Sequence, residues 1–266
     1  MKWLGLGCLV LLMSAFSSAE FGFAQSGMAL VPGGEFEMRV EYRWREGLSL
    51  DPLLSDARGI RYAASRLVQL SDYYIDKTEV TNQQFKIFLD QSGYEPKWPR
   101  NFLRHWVDGS FVEGRGRHPV VWVSMEDAKA YALWAGKRLP SEAEWQKAAQ
   151  GTDGLIWPWG NLYDASKGNM DSADTKVVGS YPQGVSPYGC SDMAGNVWEW
   201  TDSLETDGYH NFSWLRGGSY YHAKASLWYM QGGPVTNLQR TKFWHMTPAL
   251  NRCATLGFRC AKDVEE

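Results

Sequence analysis

Asp192-Met193-Ala194-Gly195-Asn196-Val197-Trp198-Glu199-Trp200-Thr201-Asp202 is the stretch from which the rest of this chain can be read. Four oxygen-bearing side chains, Asp192, Asn196, Glu199 and Asp202, are interleaved with two indoles and a glycine. Gly195-Asn196 predicts a turn, because both residues tolerate positive φ at low cost. Val197-Trp198-Glu199-Trp200 then favours an extended chain, with Trp198 and Trp200 on one face and Glu199 on the other. Oxygen ligands crowded around a glycine turn suit a hard cation such as Ca²⁺. The spacing is not that of an EF-hand loop, and a tryptophan-rich turn anchoring the core, with solvated acids, explains the same residues.

Working outward, the composition sets the frame. The chain has 266 residues, 14 tryptophans and 27 glycines, with a formal net charge of −3. That length holds one large or two small domains. The near-neutral charge gives no support to a nucleic-acid surface or a polybasic membrane surface. Many rings with many glycines predict a turn-rich fold whose core is built from large aromatic residues. Residues 1–24 read as a secretory signal peptide: Lys2, an apolar run from Trp3 to Ala15, and cleavage after Ala19 or Ala24. The apolar run is short for a membrane span. The expectation is an exported chain, periplasmic or secreted, with the folded domain at 25–266 and no membrane association after cleavage. In an oxidising compartment a bridge is expected among Cys190, Cys253 and Cys260, with Cys253–Cys260 favoured by the intervening Leu256-Gly257; three buried thiols is the alternative.

Local signals predict short strands and few helices. Ala29-Leu30-Val31 and Glu35-Phe36-Glu37-Met38 flank Pro32-Gly33-Gly34 and read as a hairpin. Three capping boxes, Thr81/Gln84, Ser124/Asp127 and Ser141/Glu144, each predict a helix start. Gly93 and Gly136 suit the ends of the first two. Trp98 to His118, rich in rings and basic residues, reads as a long loop, and such loops commonly line clefts.

Six blocks in order resemble the formylglycine-generating enzymes, also called sulfatase-modifying factors. They are Met28 to Met38, Tyr74 to Asn82, Gly136 to Trp145, Asp192 to Thr201, Arg216-Gly217-Gly218-Ser219-Tyr220, and Leu256-Gly257-Phe258-Arg259-Cys260. The resemblance implies one α+β domain related to C-type lectins, covering about residues 28 to 262. Residues 39–66 depart from it: Arg39 to Arg45 alternates in strand fashion, and the rest reads as a surface insertion. It also implies a structural calcium ion between the side chains of Asp192 and Glu199 and the carbonyls of Gly195 and Val197, with Asn169 and Asp174 near a second such site.

Active members of that family carry two cysteines after the Arg-Gly-Gly-Ser motif, which bind copper(I). Here those positions are His222 and Leu227. Cu(I) prefers soft sulfur donors, and leucine ligates nothing, so no copper is expected. Arg216, Ser219 and His222 become the candidates lining a groove that binds a protein partner or a small ligand. The competing expectation is an exported oxidoreductase of siderophore maturation, of the pyoverdine type. Formylglycine generation itself is disfavoured by Leu227. Sulfoxide synthases of ergothioneine biosynthesis use histidine-bound iron, but His105, His118, His210, His222 and His245 include no i, i+4 pair.

Overall fold

The computed structural model describes residues 27–42, 62–221, 233–248 and 250–265. The predicted signal segment, His222, Leu227 and the middle of the 39–66 segment lie outside them. Among the described residues, nine strands, three α-helices and one 3₁₀ turn at Ala165–Lys167 make a mixed α+β fold. Strands β1 (Met28–Val31), β4 (Tyr73–Asp76) and β9 (Ala261–Asp263) form one antiparallel sheet in the order β1-β4-β9. Strands β2 (Gly34–Tyr42) and β3 (Tyr62–Leu70) form an antiparallel pair, in register from Gly34↔Leu70 to Tyr42↔Tyr62. Strands β5 (Trp198–Thr206), β6 (Asn211–Arg216), β7 (Thr241–His245) and β8 (Leu256–Gly257) form the third sheet, ordered β7-β6-β5-β8, with only β5–β8 parallel.

One expectation at the N-terminal end needs correction. The segments flanking Pro32-Gly33-Gly34 are not a hairpin, because β1 pairs with β4 while β2 pairs with β3. The chain crosses between sheets at Gly33, where a Cβ would stand 2.5 Å from the Leu70 carbonyl oxygen and 2.8 Å from the Asp72 nitrogen. Only a glycine allows that backbone approach. The Lys147 ammonium then ties the crossover down by donating to the Pro32 and Gly33 carbonyls at 2.6 and 2.7 Å. The strand alternation read from Arg39 onward belongs to β2 as far as Tyr42, residues 62–66 belong to β3, and Phe36, Met38 and Val40 bury their side chains beside Ala143.

All three capping boxes form. Helices α1 (Asn82–Ser92), α2 (Met125–Trp134) and α3 (Glu142–Gln150) start at Thr81, Ser124 and Ser141, each with reciprocal side-chain-to-backbone bonds. Gly93 ends α1 in the left-handed region, φ 64°. The two capping acids also tie their helices to guanidinium groups outside them. Asp127 accepts from Arg252 at 2.7 and 3.0 Å, and Glu144 accepts from Arg138 at 2.6 and 2.8 Å. A carboxylate at a helix N-terminus is favoured by the helix dipole as well as by the facing guanidinium.

The opening stretch sits at the centre of the fold. Gly195 and Asn196 adopt φ 92° and 58°, and β5 runs on from the turn. Trp198 and Trp200 enter the largest apolar cluster with Phe85, Phe88, Val120, Tyr131 and Phe258. Glu199 points the other way, to Trp145 of a second cluster that includes Val31, Tyr73 and Ile75. Alternation along one strand thus places rings in one core and a carboxylate at the edge of the other. The cysteine bridge does not form. Cys190, Cys253 and Cys260 are free thiols, Cys190 in the second cluster and Cys253 and Cys260 in the first. They pack as small hydrophobes, the alternative weighed above.

Candidate ligand cleft and buried carboxyl cluster

The long loop beginning at Trp98 folds over α1 and lines a cleft of about 260 Å³. Its polar wall is His105, Arg115, His118 and Asp174, and Tyr220, the last residue of the Arg216–Tyr220 motif, closes it. The loop is held by local geometry: Asn101, Leu103 and Asp108 take positive φ, and Val107 and Ser110 bridge back on each other. Asn82, the first residue of α1, fastens it to the helix. Its Oδ1 accepts from His105 Nε2 at 3.1 Å and Trp106 Nε1 at 3.0 Å, and its Nδ2 donates to the Arg115 carbonyl at 3.0 Å.

Those bonds assign the tautomers. His105 carries its proton on Nε2, leaving a buried Nδ1 acceptor with no partner among the described residues. His118 Nδ1 accepts from Arg115 Nη1 at 3.2 Å and lies 2.9 Å from Thr175 Oγ1, so its proton sits on Nε2. Burial, with the Arg115 charge adding, lowers His105 to about 4 and lowers His118 as well. Both imidazoles are therefore neutral at pH 7. Burial raises Asp174, but hydrogen bonds from Arg115 and the Thr175 N–H outweigh it and hold the carboxyl below its ordinary value. Arg115 and Asp174 form an ion pair, so the cleft is close to electroneutral and rich in hydrogen-bonding groups.

The buried imidazole has a consequence for stability. Unfolded His105 takes up a proton near its ordinary pKa of about 6.5, whereas the folded state resists it down to about 4. Its contribution is fully present above the unfolded value and fades as pH falls from there. Urea unfolding should show falling stability between pH 6.5 and about 4, and His105→Asn should make that decline shallower. His118 and His245, shifted in the same direction, keep it from vanishing. An unchanged slope in the variant would refute the assignment.

The other residues singled out in the sequence take different places. Arg216 is fully buried, pairing with Glu142 at 2.9 Å and donating to the carbonyls of Asn237 and Gln239 at 3.0 and 3.2 Å. Ser219 is buried too, its Oγ without a partner among the described residues. Asn169 and Asp174 come together only through the backbone: Asn169 Nδ2 donates to the Asp174 carbonyl at 3.0 Å. The Asp174 carboxylate is drawn away to Arg115, so a shared cation site for these two side chains does not fit. The Asn169 carbonyl instead accepts the Asn196 N–H at 2.8 Å, packing this loop against the central turn.

Around that turn the acids form a buried cluster. Glu199 accepts from Arg259 at 2.7 Å through both oxygens and from Trp145 Nε1 at 2.7 Å. Asp192 Oδ2 accepts the Gly179 N–H at 2.6 Å, and Glu79 Oε1 accepts from Asn196 Nδ2 at 2.9 Å. Burial pushes both Glu79 and Asp192 above the ordinary carboxyl range, and the Glu199 charge adds to it. Three buried carboxyls thus face one buried guanidinium, an imbalance that two protons or one divalent cation would settle. No three His, Cys, Asp or Glu side chains converge as a metal-ligating group among the described residues. A calcium ion would fit on charge, using Asp192 and a remaining lone pair of Glu199 with the Gly195 and Val197 carbonyls. Glu79 is the residue that sequence reasoning missed. Its signal, Thr78-Glu79-Val80-Thr81, looks like strand and helix cap, and nothing local shows that the carboxyl turns inward.

Residues 15–264 match the family described as "Sulfatase-modifying factor enzyme 1-like domain". The chain belongs to that family. Among its relatives is "Serine/threonine-protein kinase Pkn1" of Chlamydia trachomatis, 38% identical over 220 residues, covering 74% of this chain and 34% of the relative. The chain thus spans about a third of the length of this relative. "Inactive C-alpha-formylglycine-generating enzyme 2" of Bos taurus is 29% identical over 291 residues, covering 91% of this chain and 90% of that one. Among solved structures, PvdO from Pseudomonas aeruginosa superposes with a TM-score of 0.57 at 21% identity, over 89% of this chain and 94% of the other. At that identity the likeness is one of fold, and it places this family domain among mixed α+β relatives. Membership accounts for the six ordered blocks, while the chemistry has to be argued from the cleft.

Proposed function

We propose that this protein is an exported, cysteine-deficient member of the family that binds a small polar ligand or a peptide segment in the cleft beside Tyr220. The observation that carries this reading is the gathering of His105, Arg115, His118 and Asp174 against the end of the Arg216–Tyr220 motif. Neutral imidazoles and a compensated ion pair recognise hydrogen-bonding groups better than net charge, which suits amide- or hydroxyl-bearing ligands. The name of the bovine relative, an inactive enzyme, is compatible with a scaffold kept for binding. A thermal-shift screen of dipeptides and polyols should find a stabilising ligand whose effect disappears in Arg115→Ala and His118→Ala. A ligand unaffected by both variants would place binding elsewhere. Incubation with copper and oxygen should leave a sulfatase-type cysteine peptide unchanged, and formylglycine in that peptide would overturn the reading.

A second reading, an exported oxidoreductase of a tailoring pathway, is favoured by one feature: two histidines 13 residues apart in sequence line the same cleft. Oxygen consumption that His118→Ala abolishes would put this reading first. The central turn is proposed to hold calcium through Asp192, Gly195, Val197 and Glu199. A chelator should then lower the melting temperature, because an ion bound only to the native state shifts the folding equilibrium. Glu199→Gln, which keeps an oxygen acceptor but removes the charge, should remove most of that sensitivity. No chelator effect together with no bound calcium by elemental analysis would reject the site.

A further inference from the structure

A second and larger cavity, about 610 Å³, opens between the β2–β3 hairpin and the outer face of the β5–β7 sheet, and it shares no lining residue with the Tyr220 cleft. One wall comes from Met38, Val40 and Arg66 of the β2–β3 pair, and of these Val40 and Arg66 lie in the segment that departs from the family pattern. The facing wall is Leu204, Trp214 and Arg240. A register shift in β5 between Trp200 and Leu204 turns Leu204 outward to this side, where it is 58% exposed.

The charges of this cavity are unequally committed. The Arg240 guanidinium lies 3.4 Å from the Trp214 ring centroid and pairs with Glu142 at 2.5 Å. Glu142 is further tied to Arg216, and Glu205 pairs with Lys242 at 3.0 Å. Arg66 differs. Among the described residues it donates to the Met38 thioether at 3.6 Å, a weak acceptor, and forms no ion pair, while Glu142 and Glu205 of the same cavity are paired elsewhere. An exposed guanidinium at the mouth of a cavity of mixed polar and apolar lining suits a carboxylate, since its planar fork matches two carboxylate oxygens. Behind it, exposed Leu204 and the accessible edges of the largely buried Met38, Val40 and Trp214 supply the apolar part of the lining. The volume lies in the range of small-molecule sites.

We propose that this cavity binds a small aromatic monocarboxylate, with its carboxylate on Arg66 and its ring along Met38, Val40 and Leu204 towards Trp214. The inference stands apart from the reading of the Tyr220 cleft, and either can fail without the other. Calorimetric titration of the purified chain with 2-naphthoate and with its uncharged analogue 2-naphthamide tests it. The carboxylate should bind at one site, at least about tenfold more tightly than the amide, because charge-assisted hydrogen bonds are the stronger ones. Arg66→Gln should weaken 2-naphthoate on the order of tenfold to a hundredfold while leaving 2-naphthamide and the melting temperature unchanged. Leu204→Trp, at an exposed position tolerant of substitution, should block both probes. No heat with either probe, equal affinity for the two, or full binding of 2-naphthoate by Arg66→Gln or Leu204→Trp would each overturn the proposal.

Discussion

Arg259→Ala is expected to lower the unfolding free energy by about 3–5 kcal/mol, the range for removing one partner of a buried ion pair. Arg259 and Glu199 are both fully buried, joined at 2.7 Å through two parallel bonds, and the guanidinium also donates to the carbonyls of Asp76 and Ser191 at 3.1 and 2.9 Å. Losing Arg259 leaves Glu199 beside Glu79 and Asp192 with no ion-pair partner among the described residues. It also orphans two carbonyls that link β4 and the Cys190–Asp192 segment. Glu199→Ala should cost a similar amount, because it strands the guanidinium and the Trp145 indole N–H. The double variant Glu199→Leu with Arg259→Met should be less destabilised than the sum of the two single losses, since the stranded charge is then absent. Urea unfolding of the four proteins, followed by tryptophan fluorescence, measures this. Additive losses would show that the pair is not the unit that matters.

Gly195→Ala should cost about 3 kcal/mol or more, through two separate effects. The residue holds φ 92°, which an alanine adopts only under strain. Its Cβ would also stand 2.4 Å from the Asn169 carbonyl oxygen and 2.8 Å from Met170 Cγ, so backbone has to move. That movement opens the Asn196 N–H to Asn169 carbonyl bond of 2.8 Å and loosens the seat of Asp192 and Asn196. Gly189→Ala, at φ 77° but with open space around its Cβ, is the matched control and should cost only the conformational part. Equal losses at the two sites would remove the packing argument.

Much of the fold was legible because its signals are short. Each capping box needs only two residues three apart, and Thr81, Ser124 and Ser141 all start helices where the pattern places them. The positive φ of Gly195 and Asn196 and the alternation of Trp198, Glu199 and Trp200 are likewise set by local sterics. The failures have the opposite character. Pro32-Gly33-Gly34 looks like a hairpin turn, yet the strand partners of its flanks lie some forty residues on, at β3 and β4. Cys253 and Cys260 stand close in sequence, but the core takes each thiol separately.

What the sequence by itself determined was the family, the helix starts and the central turn. Only the tertiary structure decided which charge meets which. Glu199 finds Arg259 across 60 residues and Glu142 finds Arg240 across 98. Desolvation makes such pairs obligatory once the groups are buried. It leaves no trace in the residues beside them, because the penalty exists only after the core has closed. The same holds for both cavities. Each is walled by segments far apart in the chain, so their shape and the uncommitted charge of Arg66 follow from packing alone.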